Sequence, residues 1–257
     1  MMQISLEEYL EESKIGDVKK WYDALQRHFA TCELYWLYMT RLERFDLFIS
    51  DYGFLTTTRD TYFEMFIIKF YALIAATDRK TKPSGIPDNS LTLPKLLGFL
   101  KENAKNDEIR NQFLAYVNQE KFDAWVESIR NRLSLIRNKF TAHIDAGYYI
   151  QNNDFGTEPV NTQEIRSWLD ETKAYFQKMS FLDYYPFHFM NYDIERKQSD
   201  GSLDVDQILD LIAMNSHIVK MPESSPRLWG IRRARLSIQQ IGEVNRIRRK
   251  MGLPDVE

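Results

Sequence analysis

Phe122-Asp123-Ala124-Trp125-Val126-Glu127-Ser128-Ile129-Arg130-Asn131-Arg132-Leu133-Ser134-Leu135-Ile136-Arg137-Asn138-Lys139-Phe140 carries its apolar residues in steps of three and four. Phe122, Trp125, Val126, Ile129, Leu133, Ile136 and Phe140 therefore share one stripe of an α-helix, because residues at that spacing overlie one another along a 3.6-residue turn. A strand would alternate instead. The stripe predicts a helix over residues 119–146 with one buried face, ended by Gly147.

The same periodicity runs outward in both directions. Ser5-Leu6-Glu7-Glu8 reads as a capping box that opens a short helix. A long helix is predicted over 17–50, with Val18, Trp21, Leu25, Cys32, Tyr35, Met39, Leu42 and Ile49 in near-heptad register and Gly53 ending it. Thr56, Thr57 and Thr58 then offer an N-cap for a helix over 59–77. Pro83, Gly85 and Pro87 mark a loop over 78–93, followed by short helices at 94–104 and 107–118. Asn161-Thr162-Gln163-Glu164 is a second capping box and opens a helix to 182. Past Leu182 an aromatic connector precedes two further helices, 203–220 and 226–251. Convincing strand patterns are scarce, so an all-α fold is expected: an antiparallel bundle over 1–182 and a helical extension over 183–257.

Composition narrows the class. A 257-residue chain with 44% hydrophobic residues can bury a full core, and 14% aromatic content favours a packed globule over disorder. Net charge is −3, which is no general attractor for nucleic acid. Residues 226–257, however, hold eight Lys or Arg against three acids (Glu243, Asp255, Glu257), a local +5 that leaves −8 for the rest. Cys32 is the sole cysteine, so neither an intrachain disulfide nor a cysteine zinc site can form. The amino terminus is acidic and unlike a signal peptide, and the apolar run 63–76 is short and interrupted by Glu64 and Lys69. A cytoplasmic protein without a membrane partner is expected. His188 and His217 lack neighbours at metal-ligand spacing, His28 falls in a core register, and no Gly-rich phosphate loop occurs. No metal and no cofactor are expected.

Chemistry concentrates at the end of the opening stripe, in Arg137, Asn138 and His143. Histidine can move a proton near neutral pH, and arginine holds a phosphate through a planar fork of donors. Asparagine can orient either group or the substrate. The spacing says little by itself in a chain with 18 arginines and four histidines. Its helix gives it content. In a straight helix Arg137 and His143 lie on opposite shoulders of the stripe, roughly 120° apart and about 9 Å along the axis. They do not converge on one phosphate unless the helix deforms after Phe140 or a second copy supplies the missing half across a two-fold axis. The homodimer is the more economical arrangement. His143 also continues the apolar stripe, a position that a histidine plugging the helix end would equally occupy. Arg130 and Arg132, and Arg232, Arg233 and Arg235 in the basic carboxy-terminal stretch, are candidate RNA contacts.

The wording Leu133-Ser134-Leu135-Ile136-Arg137-Asn138-Lys139-Phe140-Thr141-Ala142-His143-Ile144-Asp145 resembles the HEPN superfamily (higher eukaryotes and prokaryotes nucleotide-binding), whose signature is Arg, a polar residue and, after four to six positions, His. The Ala142-His143-Ile144-Asp145 ending and the upstream Ser90-Leu91-Thr92-Leu93-Pro94-Lys95-Leu96-Leu97 phrase resemble its AbiU-like, abortive-infection branch. The resemblance covers residues 15–182. It implies a HEPN-like bundle and a metal-independent endoribonuclease with Arg137, Asn138 and His143 as its catalytic residues, acting as a toxin or antiphage effector on RNA. Two other readings stand beside it. One is an inactive HEPN-like module that binds RNA or nucleotides or serves assembly. The other is a toxin paired with an antitoxin nucleotidyltransferase, which in such systems modifies a Tyr two residues past the His. Here that position is Asp145, a departure from the pattern.

Overall fold

The computed structural model describes residues 4–49, 52–74, 91–141, 162–180 and 204–256, with backbone alone at 44, 49, 135, 137–141, 204 and 205. Among these residues the secondary structure is helical, with no strand and one isolated antiparallel bridge between Leu10 and Ala104. The fold is all-α. The helices are α1 (Leu6–Tyr9), α2 (Glu12–Arg44), α3 (Asp46–Ile49), α4 (Gly53–Ile74), α5 (Leu93–Glu102), α6 (Asp107–Val117), α7 (Gln119–Thr141), α8 (Thr162–Met179), α9 (Asp204–Asn215), α10 (His217–Ser224), α11 (Pro226–Arg233) and α12 (Ile238–Lys250).

The chain divides into two compact units, Met1–Glu33 with Glu64–Asn191, and Leu34–Phe63 with Tyr192–Glu257. Helices α2 and α4 contribute to both. The first unit is built on aromatic side chains, as large apolar areas with directional ring packing favour. Phe176 meets Tyr22 edge-on with centroids 5.7 Å apart, and Tyr175 lies 4.8 Å from Phe122 and 4.9 Å from Trp125. Buried tyrosines satisfy their hydroxyls on backbone: Tyr22 donates to Phe176 O (3.1 Å) and Tyr9 to Leu100 O (3.0 Å). His28 is half-buried with Nε2 2.7 Å from Lys69 O. Burial holds its imidazole below the ordinary value, against the opposing pull of that carbonyl. It is a structural histidine.

The second unit closes on Leu42, Phe45, Phe48, Leu209, Ala213, Val219, Trp229, Val244 and Ile247, all buried. Two ionic knots bind its carboxy-terminal helices. Asp210, buried on α9, accepts from Arg246 (2.7 and 3.1 Å) and Lys250 (2.6 Å) of α12. Arg248, only 1% exposed, donates to Val219 O (2.6 Å) and Pro254 O (2.7 Å) and pairs with Glu223 of α10.

Helix boundaries depart from the sequence reading at three places. Gly53 opens α4 instead of ending the helix before it, and that helix already stops at Arg44 with α3 as a separate turn. The threonines do not cap. Thr56 and Thr58 donate inside the helix to Gly53 O (2.9 Å) and Phe54 O (2.8 Å), the back-bonding that hydroxyls adopt once a helix is under way. The helix predicted over 203–220 breaks at Ser216, and that over 226–251 breaks at 234–237. At the second break Ser237 and Gln240 form a reciprocal capping box that starts α12. The loop predicted over 78–93 lies largely outside the described residues.

Candidate functional site

Helix α7 begins where Asn118 ends α6. Asn118 takes the left-handed conformation (φ 60°), which asparagine tolerates better than most residues, and its Oδ1 accepts from Lys121 N at 3.2 Å. One residue thus closes one helix and caps the next. From there the stripe is buried as its spacing requires: Phe122, Trp125, Val126, Ile129, Leu133 and Ile136 are all core residues. Arg137 and Asn138 follow on the helical backbone, which the structure describes to Thr141. Their side chains, and the whole of His143, lie outside the described residues, so the separation of Arg137 from His143 does too.

The two upstream arginines are engaged. Arg130 pairs with Glu127 one turn earlier, while the other Glu127 oxygen accepts from Asn131 at 3.0 Å. Arg132 forms a two-point contact with Glu164, Nε to Oε1 at 3.0 Å and Nη2 to Oε2 at 3.4 Å, with both side chains about three-quarters covered. Glu164 sits in the first turn of α8, where the helix dipole also favours a carboxylate. This bidentate pair ties α7 directly to the start of α8. To contact RNA, each arginine would first have to exchange its carboxylate for phosphate.

The basic carboxy-terminal stretch divides into two sets. Arg246, Arg248, Arg249 and Lys250 are in ion pairs with Asp210 and Glu243, Glu223, Asp255 and Asp210 respectively. Arg246 is held above its usual value: burial works against the charge, and the hydrogen bonds to Asp210 and Glu243 outweigh it. The Glu223 carboxyl is lowered, chiefly by its hydrogen bond from Arg248. Arg227, Arg232, Arg233 and Arg235 are exposed on α11 and the turn after it. The counter-ions Glu164, Asp210 and Glu223 were not singled out from the sequence, since each partner lies 25 or more residues away. Glu127 and Glu243 could have been found, because both stand three positions ahead of their arginines on one helix.

No described helix is long and apolar enough to cross a membrane. Neither a curated protein nor a solved structure matches the chain. A family model does: the one described as AbiU2, a HEPN family, matches residues 15–198. That span takes in the whole described motif helix, the segment carrying His143 and the helix whose first turn holds Glu164, and over it the chain belongs to the AbiU2 family of HEPN proteins.

Proposed function

We propose that this chain is a metal-independent endoribonuclease acting as a toxin or antiphage effector, with a composite site made by Arg137, Asn138 and His143 of two chains. The observation that carries the reading is the family membership over 15–198 together with the Arg137-Asn138…His143 signature in the sequence, whose first two residues stand on the backbone of a helix with buried Phe122, Trp125, Val126, Ile129, Leu133 and Ile136. His143 takes the proton of a ribose 2′-hydroxyl as O2′ bonds to the adjacent phosphorus. The P–O5′ bond breaks, and the proton lost at O2′ is matched by one gained at O5′. The products are a 2′,3′-cyclic phosphate and a 5′-hydroxyl. Arg137 stabilises the charge that builds on the phosphoryl oxygens, and Asn138 positions the strand.

The test is expression of wild type against His143→Ala, followed by mapping of RNA ends, with the purified proteins compared on RNA in excess chelator. Positioned acid–base groups contribute about 10²–10⁴-fold, so His143→Ala and Arg137→Ala should each silence a gel assay while the melting temperature stays put. Ends carrying 5′-phosphates, or cleavage that chelator abolishes, would reject the mechanism. RNA bound but never cut by the wild type would make the chain a binding module instead.

A further inference from the structure

Helix α11 is fastened to its unit by one side chain. Trp229 is its only buried residue, packed into the second core with Phe45, Val244 and Ile247. Everything else on the helix faces solvent: Arg227, Arg232 and Arg233, with Leu228 and Ile231 each 54% exposed. Arg235 and Ile238, the latter 90% exposed, continue the surface past the helix end. No carboxylate occurs between Glu223 and Glu243. Among the described residues none of these four arginines has an ion pair, whereas the four cations of α12 all do. Four guanidiniums left unneutralised within nine residues repel one another, and a polyanion relieves that repulsion.

We infer that Arg227, Arg232, Arg233 and Arg235 of the second unit form a phosphate-binding surface that holds a single RNA strand. The choice of RNA rests on the proposed function, and the existence of a polyanion surface does not. Guanidinium forks suit phosphate oxygens. The exposed apolar residues between them, Leu228 and Ile231, are aliphatic, and the one ring, Trp229, is buried, so no ring is offered on which a base could stack and the surface holds backbone without choosing sequence. Arg246, Arg248 and Lys250 take no part, because releasing them would loosen the packing of α9, α10 and α12, and Arg249 is already matched by Asp255.

Anisotropy of a labelled mixed-sequence single-stranded oligoribonucleotide, titrated with full-length His143→Ala protein, tests this without cleavage. Each phosphate contact on a single strand contributes about −0.7 to the slope of log K against log salt, so four give about −2.8, a roughly 50-fold loss between 50 and 200 mM salt. Replacing the four arginines with alanine should remove most of that slope at an unchanged melting temperature, and replacing them with lysine should keep it. Should the fourfold variant fail to fold, Arg232→Ala with Arg233→Ala should cut the slope by about 1.4. Arg249→Ala, which removes an exposed cation paired with Asp255, should leave it unaltered. An unchanged slope in the arginine-to-alanine variants would overturn the proposal. So would displacement of the RNA by polyglutamate at equal charge concentration, which would make the surface a dock for acidic protein. Tight, slope-bearing binding by a wild type that cuts no RNA would sustain the surface and reject the nuclease.

Discussion

Asp210 is the carboxylate on which α12 converges, and its titration reads that contact directly. Burial pushes its carboxyl up, but hydrogen bonds from Arg246 and Lys250 outweigh burial and hold it below the usual range. A carboxyl depressed by folding adds stability above its unfolded value and loses it as pH falls through its folded value. Asp210→Asn should therefore cost about 2 kcal/mol at pH 7, the scale of charge-assisted hydrogen bonds, moderated because Lys250 is half exposed. The deficit should begin to shrink as pH falls below about 4, where the unfolded chain takes up a proton that folded Asp210 still resists. Urea melts of both proteins at pH 7 and pH 3 give the two gaps; equal gaps would mean that folding does not lower the Asp210 carboxyl. The neighbouring Arg248 knot is of another kind, since its guanidinium is buried and satisfies the backbone carbonyls of Val219 and Pro254. Removing it leaves those carbonyls without their donor as well as freeing Glu223.

At the scale of the element, the helices of both units show what a sequence can and cannot disclose. Apolar periodicity found α7 and α8 because each carries a continuous buried stripe, while Thr92 and Asn106, which cap α5 and α6 through their own side chains, were signals the reading left unused. Periodicity did not separate α11 from α12, since the residues around the break, Ala234 to Ser237, form a tight turn bonded back onto the end of α11 (Arg235 N to Arg232 O, 3.0 Å; Leu236 N to Arg233 O, 2.9 Å). The signal was nonetheless present. Ser237-Ile238-Gln239-Gln240 is a capping box, and its two reciprocal hydrogen bonds are formed at 2.9 and 3.2 Å. Ser237→Ala should then destabilise the unit by about 1 kcal/mol, and Ser237→Asp should hold it near wild type, as caps do. A thermal melt distinguishes the two, and equal melting of all three proteins would dismiss the cap as a contributor. The candidate site divides the same way. Arg137, Asn138 and His143 were read as wording at the end of a predicted helix and lie, side chains or whole, outside the described residues, whereas Arg130 could be assigned to Glu127 by spacing. Arg132 could not be assigned to Glu164, because 32 residues separate them and only the packing of α7 beside α8 brings them together.

For the whole molecule, the proposed chemistry requires a second chain, and that requirement is testable without any structure of the pair. On a straight continuation of α7, Arg137 and His143 stand about 9 Å apart along the axis and on opposite shoulders of the stripe. In the proposed dimer a two-fold axis would bring Arg137 of one chain to His143 of the other and make two identical sites. Consider chains bearing Arg137→Ala mixed, after unfolding and refolding, with an equal amount of chains bearing His143→Ala. Each protein alone is inactive. Random pairing puts half of the dimers in mixed form, and each mixed dimer holds one site with both residues intact and one with neither. Activity should return to about a quarter of the wild-type rate per chain, provided the sites act independently. A site confined to one chain gives no recovery whatever the pairing, since every chain lacks one residue. Sedimentation of the same mixture fixes the fraction of dimer against which the recovery is measured, so a monomeric protein that is active alone and shows no complementation would defeat the composite site while leaving the helical fold and the family untouched.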